Sequence, residues 1–170
     1  MVYGKGYTNR LLSKNEIYTI CKEAFSFNNF TGKKILAIIP DLTRTAPIDI
    51  MFRVLCDLIL AETSKLDFIV ALGTHTSLSE DSIYRLVGIT KSEHNSKYSK
   101  VNFFNHLWND PDQLARIGSI TEDEIEEISG GLMREKVEIT INKLVLDCDL
   151  LMIIGPTFPH EVVGFSGGNK

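Results

Sequence analysis

The sequence predicts an α/β fold with a Rossmann-like, mostly parallel sheet and helices on both faces. Two observations carry this. Apolar runs and helical patterns follow one another as strand, loop, helix, the order of right-handed βαβ units. Two of the runs, at 35–39 and 150–154, are continuously apolar rather than alternating, as strands covered on both faces are. With 170 residues and 44% hydrophobic composition the chain can bury one core but hardly two. No repeat, low-complexity tract or linker divides it, so residues 1–170 are read as a single domain.

Each element has its own signal. Ile17, Ile20, Cys21, Ala24 and Phe25 recur at helical spacing and predict a helix over 14–25. Asn28, Asn29, Thr31 and Gly32 interrupt the pattern before the strand at 35–39. Pro47 suits the first turn of a helix whose inner face carries Ile48, Met51, Leu55, Leu58 and Ile59. A second strand, 66–72, runs into Gly73-Thr74-His75, and Ser77 with Glu80 has the spacing of a capping box. Gly88 ends that helix. A short strand at 101–104 precedes Asn105-His106. Thr121 with Glu124 opens an acidic helix that Gly130-Gly131 closes. Residues 136–142 alternate as a half-exposed strand, and 144–147 form a short helix before the last strand.

Composition narrows the function. A formal charge of -4 with no cluster of lysine and arginine leaves no field for nucleic acid. No apolar run reaches the roughly 18 residues of a membrane span, and Met1-Val2-Tyr3-Gly4-Lys5 has no signal-peptide core. A cytoplasmic setting with no membrane partner is expected. Cys21, Cys56 and Cys148 have no metal-ligand or Cys-x-x-Cys spacing and are read as small core side chains.

The chemistry gathers in the loops after the strands. Parallel strands bring their carboxyl ends to one rim, where ligands bind in open α/β sheets. Asp41, Thr43 and Arg44 follow the first strand, His75 the second, and His160 the last, with Gly164, Gly167, Gly168 and Lys170 beyond it. Arg44 presents a planar fork suited to carboxylate or phosphate; the alternative is a surface arginine paired with Asp41. His75 and His160 are candidate proton carriers, and a facing pair suits inversion of a stereocentre. His106 is a further candidate for lining the site, whereas His94, in a polar stretch, is read as solvated.

At these positions the chain resembles the amino-terminal domain of the nickel-pincer lactate racemase family. The resembling stretches are Asp41-Leu42-Thr43-Arg44-Thr45-Ala46-Pro47, Ala71-Leu72-Gly73-Thr74-His75, Asn105-His106, Ile141-Asn142-Lys143-Leu144 and Pro159-His160 through Gly164-Phe165-Ser166-Gly167-Gly168-Asn169-Lys170. They span residue 35 to the end. The resemblance implies a cofactor, a pyridinium-3,5-bisthiocarboxylic acid mononucleotide holding nickel, joined to Lys170 through a thioamide. It implies that His75 and His160 are the catalytic pair and that Arg44 holds the substrate carboxylate. Asp41 would belong to the same pocket, and Ser166, Gly167 and Gly168 would shape the loop around the cofactor.

The implied reaction is proton-coupled hydride transfer. One histidine takes the hydroxyl proton of a 2-hydroxy acid while hydride leaves C2 for the pyridinium ring, and return to the opposite face inverts the centre. Leu42, where the family commonly has glycine, and the acidic stretch from Thr121 to Ser129 bear on which 2-hydroxy acid is taken. The family's nickel-ligating histidine and its carboxyl-terminal domain lie beyond the lysine. The isolated chain is therefore expected to hold no metal, to fold without nickel and to turn over little substrate. From a different class, a non-catalytic phosphate- or nucleotide-binding module would need only the Thr43-Arg44 loop and the glycine turn.

Overall fold

A computed structural model describes residues 1–162 and 164–167 of the chain. The elements run α1 (Lys14–Phe25), β1 (Lys34–Pro40), α2 (Ile48–Ile59), β2 (Lys65–Ala71), α3 (Glu80–Val87), α4 (Lys91–Ser96) and β3 (Phe103–Asn105). There follow β4 (Leu114–Ile120), α5 (Glu122–Ile128), β5 (Val137–Asn142), β6 (Leu150–Ile153), β7 (Phe158–His160) and β8 (Gly164–Ser166). Strands β3, β2, β1 and β6 form, in that order, one sheet in which every pair is parallel. This four-stranded parallel sheet with helices around it is the expected α/β architecture.

Strand register explains the core. Ile35 pairs with Leu66, Ala37 with Phe68 and Ile39 with Val70, so these six side chains share a face. Each is 1% exposed or less, and all pack in one cluster with Phe52, Leu55 and Ile59 of α2 and Ile83 and Val87 of α3. Phe52, absent from the inner face expected for α2, stands at its centre, with ring centroids 5.1 Å from Phe68, 4.9 Å from Tyr98 and 5.7 Å from Phe103. Burial on this scale, about 25 cal/mol per Å² of apolar surface, is the main stabilising term of such a domain. Cys56 is buried in the same cluster.

The helix ends follow their local chemistry. Thr121 and Glu124 close both bonds of a capping box at α5, as their spacing predicts. Pro47 is the residue before α2, one position outside the first turn. The opening of α3 differs from expectation: Ser79, not Ser77, is its N-cap and accepts from the Ser82 N–H. Gly88 ends α3 at φ 68°, where a Cβ would stand 2.6 Å from the Cβ of Asp49 on α2, so glycine meets both the turn and the packing. The chain from 143 to 147 is a 3₁₀ turn rather than an α-helix.

Four further features differ from the sequence reading. Strand β4 was not expected; it pairs antiparallel with β5, and a register shift between Arg116 and Gly118 breaks the alternation that would have revealed it. Helix α4 is short and polar, held by a Thr90–Glu93 capping box. Strand β6 is not covered on both faces: Leu150 and Met152 pack on the core, while Leu151 and Ile153 stay 38% and 43% exposed. The segment around His160, expected as a glycine-rich turn, pairs β7 with β8 as an antiparallel hairpin.

Candidate functional site

The carboxyl ends of β1, β2 and β3 place Asp41, His75 and His106 along one edge of the sheet. Asp41, the first residue after β1, is 6% exposed, and both its carboxylate oxygens are hydrogen-bonded. Its Oδ1 accepts from the Thr43 N–H at 3.0 Å and from the Thr43 hydroxyl at 2.5 Å. Its Oδ2 accepts from Nδ1 of His75 at 2.5 Å. Burial by itself pushes the Asp41 carboxyl up, but the bonds from Thr43 and His75 outweigh it, and its pKa lies below the ordinary value. An ionised carboxylate accepts only, so the shared proton resides on Nδ1 of His75.

His75 is itself half exposed, with 54% of its side chain accessible. The loop beneath it is fixed. Gly73 adopts φ 58°, the His75 N–H donates to the Leu72 carbonyl at 3.0 Å, and Leu78 exchanges two hydrogen bonds with the Asn105 amide at 3.0 and 2.9 Å. Nδ1 is tied down and Nε2 faces outward without a partner among the described residues. In the neutral ring that nitrogen carries a lone pair, the arrangement of an oriented base.

Arg44 is exposed, and among the described residues its guanidinium makes no hydrogen bond or ion pair. The alternative of an Arg44–Asp41 pair is thus not the one formed: Asp41 is taken by His75 and Thr43. His160 ends β7 opposite Gly164, and its Nδ1 accepts from the Val162 N–H at 3.1 Å. Ser166 lies opposite Phe158 on β8. Gly167 follows at φ 90°, where a Cβ would collide with the Pro156 carbonyl oxygen, so only glycine lets the two chain segments approach there. Gly168 and Lys170 lie outside the described residues.

His94 and His106 make contacts of their own. His94, expected to be solvated, is half-buried: Nδ1 meets the Tyr84 hydroxyl at 3.1 Å and Nε2 the Val101 carbonyl at 2.9 Å, with the ring against Tyr84 and Phe103. It is a structural residue. His106 donates its backbone N–H to the Val70 carbonyl at 3.1 Å, and its Nδ1 faces Nδ2 of Asn142 at 3.4 Å. Thr43 and Asn142 stand in stretches singled out from sequence, but their contacts with Asp41 and His106 have no signal in the sequence. The Cys56 thiol is pushed up to about 12 by burial, which removes it from nucleophilic chemistry. Among the described residues no three His, Cys, Asp or Glu side chains gather as a metal site, and no helix is long and apolar enough to cross a membrane.

Fold and edge define an α/β domain with a carboxylate-held histidine at the carboxyl rim of a parallel sheet. The chain belongs to the lactate racemase N-terminal domain family, whose sequence pattern matches residues 18–170. Among solved structures, a protein from Thermotoga maritima is similar over 92% of this chain, with a TM-score of 0.78 and 27% identity. The chain spans 36% of that protein's length. No curated protein matches it.

Proposed function

We propose that the chain is the amino-terminal part of a 2-hydroxy acid racemase or epimerase, with lactate as the reference substrate. The observation that carries this reading is the buried Asp41 bonded to Nδ1 of an exposed His75. A residue needed only for packing has no use for an outward, unpartnered ring nitrogen. Acid–base work on a bound hydroxyl does, and it distinguishes this reading from a phosphate-binding module.

The chain's own residues divide the work. His75, with Nε2 open, takes the hydroxyl proton of the substrate. His160 has Nδ1 occupied by the Val162 N–H, so its neutral ring carries hydrogen on Nε2 and is set to donate. Complementary protonation states of this kind are what proton removal by one ring and return by the other would require. Arg44, with no protein partner among the described residues, would hold the carboxylate in register. The glycine turn at Gly167, with Gly168 and Ser166, would carry Lys170 to the cofactor. The donor chemistry fits a nickel-pincer nucleotide: a bound hydroxyl needs a base and a donor from the protein, and Lys170 offers an amine for attachment. When bound, that group supplies the hydride acceptor for C2. In the longer parent, a carboxyl-terminal domain would close the site.

The test is intact-mass measurement of the longer parent made in cells that assemble the pincer cofactor. An adduct mapped to Lys170, lost in Lys170→Ala, together with interconversion of D- and L-lactate or another 2-hydroxy acid, is the expected result. A parent without adduct and without racemisation overturns it.

A further inference from the structure

His106 follows β3, the neighbour of the β2 strand that leads to His75, and is held in the opposite sense. Its partner Asn142 is 6% exposed, and the amide orientation of Asn142 is decided by its other contact: the Leu144 N–H needs an acceptor at 3.0 Å, so Oδ1 faces Leu144. Nδ2 therefore faces His106, at 3.4 Å. An amide NH₂ can only donate, and a hydrogen on Nδ1 of His106 would confront it directly. Nδ1 of His106 is accordingly the acceptor, and its neutral ring carries hydrogen on Nε2. Among the described residues that Nε2–H has no partner.

The backbone around this ring is anchored at both sides. The His106 N–H is bonded to Val70 at the end of β2, and the preceding Asn105 is bonded twice to Leu78 beyond the His75 loop. A tautomer set by a buried amide, on a loop tied to its neighbour, is a preorganised donor.

We infer that His106 is a further binding residue of the site, a fixed Nε2–H donor that takes a carboxylate or carbonyl oxygen of the ligand, complementary to the acceptor nitrogen of His75. Two adjacent strand ends then present one lone pair and one N–H. A 2-hydroxy acid offers the matching pair, a hydroxyl hydrogen and a carboxylate oxygen, and its oxidised form offers carbonyl oxygen in place of the hydroxyl. Identification of the ligand rests on the racemase reading; the tautomer does not.

Nitrogen NMR of the 170-residue chain, labelled at histidine, decides the first part. At a pH where the rings are neutral, His106 is expected to show a pyridine-type Nδ1 and a pyrrole-type Nε2, and His75 the reverse. Asn142→Asp, whose carboxylate accepts, should draw the His106 hydrogen to Nδ1. A pyrrole-type Nδ1 in the wild-type His106 would overturn the inference. In the cofactor-loaded parent, His106→Phe should raise KM for lactate tenfold or more with little change in the pH profile of kcat, and His106→Gln, which places an amide N–H near the lost one, should recover most of it. Equal loss in both variants, or loss in neither, would count against a donor role. A wild-type parent that racemises nothing would sink the racemase reading, and the nitrogen shifts would then decide this one by themselves.

Discussion

Asp41 and His75 stand 34 residues apart in the chain and meet through a 2.5 Å hydrogen bond at the carboxyl ends of adjacent strands. The carboxylate is buried and doubly bound by Thr43, so it cannot turn away from the ring. This rigidity fixes which imidazole nitrogen is free. Asp41→Asn is expected to invert the His75 tautomer and to lower kcat of the loaded parent on the order of 10²- to 10⁴-fold, the usual contribution of a positioned acid–base group. Chiral analysis of lactate measures it.

The same bond makes stability depend on pH. The folded pKa of Asp41 lies below its unfolded value, so the bonds to its ionised form stabilise the fold in full above the unfolded pKa of about 3.9 and are lost as pH falls through the folded value. Thermal unfolding of the chain should therefore show Tm dropping below about pH 4, with a shallower drop in Asp41→Asn. Equal acid slopes would mean that the bond does not form.

Arg44 separates binding from folding. Because its side chain is exposed and unpaired among the described residues, Arg44→Ala should change stability by no more than about 0.5 kcal/mol. KM for the 2-hydroxy acid should rise at least tenfold in the loaded parent. Arg44→Lys is expected to recover it only in part, since an ammonium cannot make the two parallel bonds of the guanidinium fork. Steady-state kinetics beside a melting curve reads both.

Gly88→Ala tests the junction of α3 with α2. The new Cβ would have to accept φ 68° and a 2.6 Å approach to Asp49, a strain of about 1–3 kcal/mol. A melting temperature unchanged by the substitution would show that the junction yields freely.

Phe52→Ala tests the centre of the core. The ring is fully buried against Phe68, Tyr98 and Phe103, and its removal should cost about 3–5 kcal/mol in denaturant unfolding. A smaller loss would mean that neighbouring side chains collapse into the space.

Much of this was legible in the sequence because it is local. Continuous apolar runs gave β1 and β6, helical spacing gave α1 and α2, and Thr121 with Glu124 gave the start of α5, since each depends on neighbours within a turn or on one face. What escaped depends on residues far apart. The bulge between Arg116 and Gly118 hid β4, whose pairing with β5 spans distant segments. His94 reads as solvated from its polar neighbours, yet Tyr84 and Val101 take both its nitrogens. Leu151 and Ile153 look like buried strand residues, and only the tertiary structure shows that their face of β6 is left exposed while Leu150 and Met152 pack on the core.

The candidate site divides the same way. Sequence by itself determined that Asp41, Arg44, His75 and His106 follow strands, because strand ends are set by local patterning; His160 instead ends a hairpin strand, β7. Tertiary structure alone decided that Asp41 grips His75, that Arg44 is left free of it, and that Asn142 faces His106. A hydrogen bond between residues 34 or 36 positions apart has no local signature: Asp41 reaches His75 once parallel pairing has set β1 beside β2, and Asn142, at the end of β5 in the separate antiparallel pair, reaches His106 only through the packing of that pair beside β3.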